Sequence, residues 1–289
     1  MKLALLCGYS GTDFSGSQYQ PDARTVEGEF IKAGISCGAW DDAKSGSFRT
    51  AGRTDKGVSV RRQVISVTTE KPERFCEAIN FHLPPDIWCV GASEVPDDFY
   101  PRYAVRSRTY RYFFPYPLDI PRMNETAAVF AGTKDFSGFS RMEAGRDPVR
   151  TVTVSRVFEE HGLPVFEITA NSFLWNMVRG IAGFLFAAGL GMAGPDDAER
   201  QLNDHIWRVH PAPPEGLVLW DADCGITFSP VRQRSESARQ LYSAAEKARQ
   251  SALCAEAILG DKMDGMLKDS VMRNYGSLLK AGKENGFPK

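Results

Sequence analysis

The chain has 289 residues, 43% of them hydrophobic and 25% charged, with a formal net charge of −1, values that suit a globular protein of one large or two ordinary domains. No stretch approaches the roughly 18 apolar residues of a membrane span, because the nearest one, 173–192, is broken by Asn176, Arg179 and several glycines. Six scattered cysteines without a Cys-x-x-Cys pair, and four dispersed histidines, speak against a disulfide framework and against a metal centre, so reduced thiols in a cytoplasmic protein are expected, or in a nuclear one if the source is eukaryotic.

The opening "MKLALLCGYSG" has one lysine and a short apolar run with Asp13 close behind, and reads as a strand over 3–8 rather than as a signal peptide. The glycine-rich turn "GYSGTDFSGSQYQP" follows. Thr25 suits a helix N-cap, with Glu27 and Glu29 at the positive end of the helix dipole. Strands are predicted at 48–51 and 63–69, where Val64, Ile65 and Val67 are β-branched, then a helix over 72–81 and a further strand in "LPPDIWCVGASEV". The order β-α-β-β-α-β is that of a split βαβ unit.

The second half repeats the theme without repeating the sequence. "RTYRYFFPY" is a strand with alternating aromatics and "NETAAVF" a short helix, while "RTVTVSRVFEE" and "PVFEITA" are strands joined by a turn at 161–164. "NSFLWNMVRGIAGFLFAAGL" reads as a helix, with Phe173, Met177, Ile181 and Phe184 on one stripe, Asn171 and Ser172 as its cap and Gly189 and Gly191 as its stop. From Val231 the chain is Ala-rich and more basic, with eleven Lys and Arg against seven Asp and Glu. Leu241, Ala245, Ala248, Ala252, Ala255 and Leu259 mark an amphipathic helix, expected to pack on the body; contact with RNA or with a second subunit are the alternatives.

The charge is unevenly spread. Between residues 45 and 65, Arg49, Arg53, Lys56, Arg61 and Arg62 surround one acid, Asp55. Arg102, Arg106, Arg108 and Arg111 then alternate with Tyr100, Tyr103, Tyr110 and Tyr112, without an acid among them. Arginine for phosphates and aromatic faces for bases is the composition that RNA binding requires, although a solvated strand face has it too. In "AGRTDKGVSV" the glycines beside Asp55 allow backbone conformations closed to other residues, and the cations favour its ionised form, as a nucleophile or base requires. Thr-Asp-Lys-Gly is equally a natural turn. Arg179 lies on an otherwise apolar helix and needs either a carboxylate partner or a path to solvent.

"AGRTDKGVSV" resembles the Gly-Arg-Thr-Asp-x-Gly-Val signature of the TruA family of tRNA pseudouridine synthases, and its Val-Ser ending looks more like the archaeal and eukaryotic branches. Further blocks resemble that family in the same order: "YSGTDFSGSQYQPDARTVEGEF", "FHLPPDIWCVGASEVPDDFYPRYAVRSRTYRY", "GTKDFSGFSR", "NSFLWNMVRGIAGFL" and "PAPPEGLVLWD". The resemblance covers residues 1 to about 228. It implies conversion of uridine to pseudouridine in the anticodon stem-loop of tRNA, around positions 38–40, without cofactor or metal, by a homodimer. Asp55 is then the essential carboxylate, adding to C1′ or removing a proton from C2′. Arg53 helps open the stem and fills the place of the flipped uridine, Tyr110 stacks on the base, and Arg179 is the cation paired with Asp55. Lys56, Arg102, Arg106 and Arg108 are candidate RNA contacts.

The family's usual aromatic in the N-terminal loop is Ser17 here, so stacking by that residue is lost, and Val60 replaces a small residue after the signature. Rival readings are a TruA-like synthase acting on other uridines and a catalytically silent RNA-binding protein; a glycosidase lacks an evident second acid near Asp55. The expected fold is α+β: two tandem ferredoxin-like halves, 1–101 and 102–230, forming a continuous, mostly antiparallel sheet with a central cleft, and a helical extension over 231–289.

Overall fold

The structure, a computed structural model, describes residues 1–205 and 209–259. The chain forms two compact units, Met1–Arg106 with Val218–Ile258, and a second beginning at Ser107 and ending at Leu217. The first opens with β1 (Lys2–Tyr9), α1 (Val26–Ser36), β2 (Arg49–Thr50), β3 (Ser59–Thr68), α2 (Pro72–His82), β4 (Ile87–Val95) and the short α3 (Pro101–Ala104). The second contains β5 (Ser107–Phe113), α4 (Ile120–Ala128), β6 (Gly132–Asp135), β7 (Val149–Glu160), β8 (Leu163–Ala170), α5 (Met177–Gly189) and α6 (Pro195–Asp204). The chain then returns to the first unit through β9 (Leu217–Asp223), β10 (Ser229–Pro230) and α7 (Ser235–Leu259).

The fold is α+β, as the element order implies. In the first unit β1 lies between β3 and β4, antiparallel to both, and β2 pairs antiparallel with β3. This β4-β1-β3-β2 order is the split βαβ arrangement. Strand β9 joins β3 in a short parallel pairing, Ser59 opposite Val218. Strand β1 is buried from Leu3 to Tyr9. Leu6 and Val64 pack with Ala51, Val105, Ala222 and Cys224, while Phe30, Phe75 and Ile79 of the helices are fully buried. Thr25 caps α1 as its sequence suggests, its hydroxyl accepting the Gly28 amide at 3.2 Å. In the second unit the antiparallel order is β5-β8-β7-β6, so β8 separates β5 from β7 as β3 separates β1 from β2. Its core is aromatic, with Phe130 edge-on to Phe139 at 5.0 Å and Phe139 to Phe184 at 5.5 Å.

Several boundaries differ from the expected ones. Helix α5 begins at Met177, not at Asn171. The Asn171 amide still bonds to the Thr151 carbonyl of β7 and its side chain accepts the Ser172 amide, so the strand pairing runs on, and Asn176 takes a left-handed φ of 62° that starts the helix afresh. Helix α4 starts four residues before the expected segment, because the Asp119 side chain accepts the Arg122 amide and Pro121 suits the first turn. Strands β6 and β9 and helix α6 fall outside the elements expected from the sequence. The tail helix forms, but its side chains from Tyr242 to Ala255 are exposed rather than packed on the body. An alanine stripe has little apolar area to bury, and of the described side chains of α7 only Ser237, 8% exposed, is buried, with Leu241 half-buried. The rest of the expected extension, 260–289, lies outside the described residues.

Candidate active-site loops

Residues 52–58 join β2 to β3. The ladder ends with the Ala51 amide on the Val64 carbonyl, and the Gly52 carbonyl then accepts from the Gln63 side chain at 2.9 Å and from the Thr50 hydroxyl at 3.0 Å. Asp55 opens a tight turn in which the Val58 amide donates to its carbonyl at 3.2 Å. Gly57 sits at the third position with a φ of 85°, where a side chain would be strained. Arg53, Asp55 and Lys56 project from this frame as exposed side chains.

The frame is fastened by the segment after β1. A register shift between Cys7 and Tyr9 bends the strand end, as bulges beside functional sites do, and the Tyr9 hydroxyl meets the Thr54 hydroxyl at 2.7 Å. Ser17 clamps Thr54 from both sides: its hydroxyl accepts the Thr54 amide at 2.9 Å, and its amide donates to the Thr54 carbonyl at 3.2 Å. The Ser17 carbonyl in turn accepts the Glu27 amide of α1 at 3.0 Å. Gly11 runs so close to the loop that a Cβ there would lie 2.2 Å from the Val58 carbonyl oxygen. Below this segment Arg24 stacks over Phe14 at 4.2 Å and forms two bonds with the Asp86 carboxylate, at 2.7 and 2.8 Å, which raise the guanidinium pKa further.

In the second unit one loop, 171–176, gathers the other candidates. Arg108 donates to the Asn171 carbonyl at 3.0 Å. Tyr110 meets Phe173 edge-on with ring centroids 5.1 Å apart. The Arg179 guanidinium donates through Nη1 to the Asn176 side chain at 3.2 Å and through Nε to the Ala212 carbonyl at 2.7 Å, while its own carbonyl accepts the Ala212 amide. Tyr110 and Arg179 are both half-buried. Their neighbours Tyr112 and Met177 are buried outright, so the chain is fixed while these two side chains reach the surface in part.

Of the remaining cations, Arg102 is exposed on α3 beside the exposed Tyr103, and Arg106 is exposed while its amide donates to the Asp223 carbonyl at 2.7 Å. Sequence reasoning missed Tyr9, Thr54, Phe173 and Asn176 as supports. It marked Ser17 as a loss of stacking, whereas the structure gives it a clamp; the departure from the family's aromatic was the available signal. Among the described residues no group of three His, Cys, Asp or Glu side chains is placed to hold a metal, and no helix is long and apolar enough to cross a membrane.

A family model described as tRNA pseudouridine synthase matches residues 126–223. A curated relative from Methanocorpusculum labreanum, named tRNA pseudouridine synthase A, is 58% identical over 97% of this chain and 100% of its own. Relatives of the same name from Methanosphaerula palustris and Thermococcus kodakarensis are 47% and 43% identical, over 90% and 83% of this chain and 92% and 91% of theirs.

Proposed function

This chain belongs to the TruA family of tRNA pseudouridine synthases, isomerases of uridine in tRNA, and from that premise we propose that it acts on the anticodon stem-loop, around positions 38–40, with Asp55 as the reacting carboxylate. The observation that carries this reading is the 52–58 loop, where an exposed carboxylate stands on a turn whose backbone is held by Ser17 and Gln63 and whose Thr54 hydroxyl is met by Tyr9. The isomerisation breaks the C1′–N1 bond, turns the base and joins C5 to C1′; a proton leaves C5 and N1 gains one, so no redox partner or group donor enters the balance. Asp55 serves either by adding to C1′ or by taking the C2′ proton. A carboxylate pre-set in its backbone needs no reorganisation at that moment.

In this proposal Tyr110, its ring braced by Phe173, stacks on the extruded base, since the uridine must leave its helix at a cost of a few kcal/mol. Arg179 supplies the cation paired with Asp55, and Arg53 takes the place vacated by the base. Lys56, Arg102, Arg106 and Arg108 contact phosphates. The working form is a homodimer in the cytoplasm.

The test is to incubate the protein and its Asp55→Ala variant with unmodified tRNA and map pseudouridines chemically. The variant should lose more than about a thousandfold in rate and still bind tRNA within about threefold, because phosphate contacts supply most of the affinity. Equal modification by both proteins removes Asp55 from the mechanism. No modification of any tRNA by the wild type favours a silent RNA-binding protein.

A further inference from the structure

The loop that braces Tyr110 and Arg179 also displays a tryptophan. Trp175 is 43% exposed, although an indole is among the side chains with most to gain from burial. The Arg141 guanidinium lies over its ring at 4.2 Å, and the Arg141 amide donates to the Trp175 carbonyl at 2.8 Å. Arg141 is itself exposed and has no carboxylate partner among the described residues. The pair is held in place by its surroundings: Leu174 and Met177, on either side, are buried, and Asn176 is fixed through its bond to Arg179.

An aromatic face beside a guanidinium with its fork open to solvent offers two chemistries at once. The flat faces take a base, and the fork takes a phosphate. The position in the chain selects the ligand. Phe173, two residues before Trp175, holds the ring of Tyr110, and Asn176, one residue after, holds Arg179. We infer that Trp175 and Arg141 form a stacking site for one single-stranded nucleotide of the RNA close to the target uridine, with the base on the Trp–Arg stack and the phosphate on the Arg141 fork. This rests on the reading of the protein as a tRNA pseudouridine synthase acting through Tyr110 and Arg179, and it adds a subsite to it.

The experiment compares wild type with Trp175→Ala, Trp175→Phe and Arg141→Gln, measuring kcat and KM on unmodified tRNA and Kd for an anticodon stem-loop RNA across a salt series. Trp175→Ala should raise KM and Kd about tenfold with kcat changed less than about twofold, and Trp175→Phe should recover most of the loss. Arg141→Gln should lower the slope of log Kd against log salt by about one. The RNA should also quench a component of the tryptophan fluorescence that is missing in Trp175→Phe. Unchanged KM, Kd and salt slope in an active enzyme overturn the inference, and so does a change of oligomeric state in Trp175→Ala, which would assign the surface to a second copy. A loss of melting temperature without a loss of RNA affinity in Trp175→Phe reduces the pair to a loop brace. A wild type that modifies no tRNA overturns the synthase reading instead, and the binding and quenching measurements still decide whether this surface takes RNA.

Discussion

The 52–58 and 171–176 loops hold their side chains by different means. The first is a lattice of short polar bonds, from Ser17, Thr50 and Gln63 to backbone atoms and from Tyr9 to the Thr54 hydroxyl, with Gly11 pressed against it, and the side chains of its acid and two cations are exposed. In the second, beside its backbone bonds, rings and guanidinium groups brace the side chains: Phe173 on Tyr110, Arg141 on Trp175, Arg179 on Asn176. Hydrogen bonds to a backbone fix position within tenths of an ångström and tolerate little, whereas ring contacts are broad and allow a base to settle. The difference suits the proposed reaction, in which one loop places a reacting atom and the other receives a flat ligand.

That contrast predicts where substitutions act. Among the residues that support the two loops, the largest effect is expected at Gly11. In Gly11→Ala the new methyl meets the Val58 carbonyl, a backbone atom that moves only with its loop, and overpacking of this kind costs about 1–3 kcal/mol. The rate of pseudouridine formation should fall by about ten- to a hundredfold, with a lower melting temperature; normal kinetics would mean that the loop is not rigid. Next is Ser17→Ala, which leaves the part-buried Thr54 amide without its acceptor, a penalty of about 1–3 kcal/mol. Its kcat should drop about tenfold with KM altered less than about twofold, and a change confined to KM would erase the distinction between the two loops. The smallest is Phe173→Leu, which removes an edge contact worth about 0.5–1.5 kcal/mol. KM should rise about threefold at nearly constant kcat, in steady-state assays on the same tRNA.

Much of this architecture was legible in the sequence because it is written locally. Thr25 declares the start of α1, Val64, Ile65 and Val67 declare β3, and the heptad spacing from Leu241 declares α7. The helix expected from Asn171 shows the limit: Phe173 fits the stripe of Met177 and Ile181 by spacing, yet it lies in the preceding loop, because Asn171 is still engaged with Thr151 of β7. Period alone does not say where a strand lets go. The tail helix shows the same limit in packing, since the spacing of its alanines is right for a buried face and their area is too small to hold one.

By itself the sequence determined the family, the order of the first split βαβ unit and the turn that presents Asp55, since motif chemistry, periodicity and a Gly57 suited to positive φ are properties of neighbouring residues. Only the tertiary structure decided what holds that turn and what surrounds Tyr110. Ser17 and Thr54 are 37 residues apart in the chain, and Tyr110 and Phe173 belong to different elements. Contacts closed over such distances depend on how the whole unit packs, and no local pattern records them.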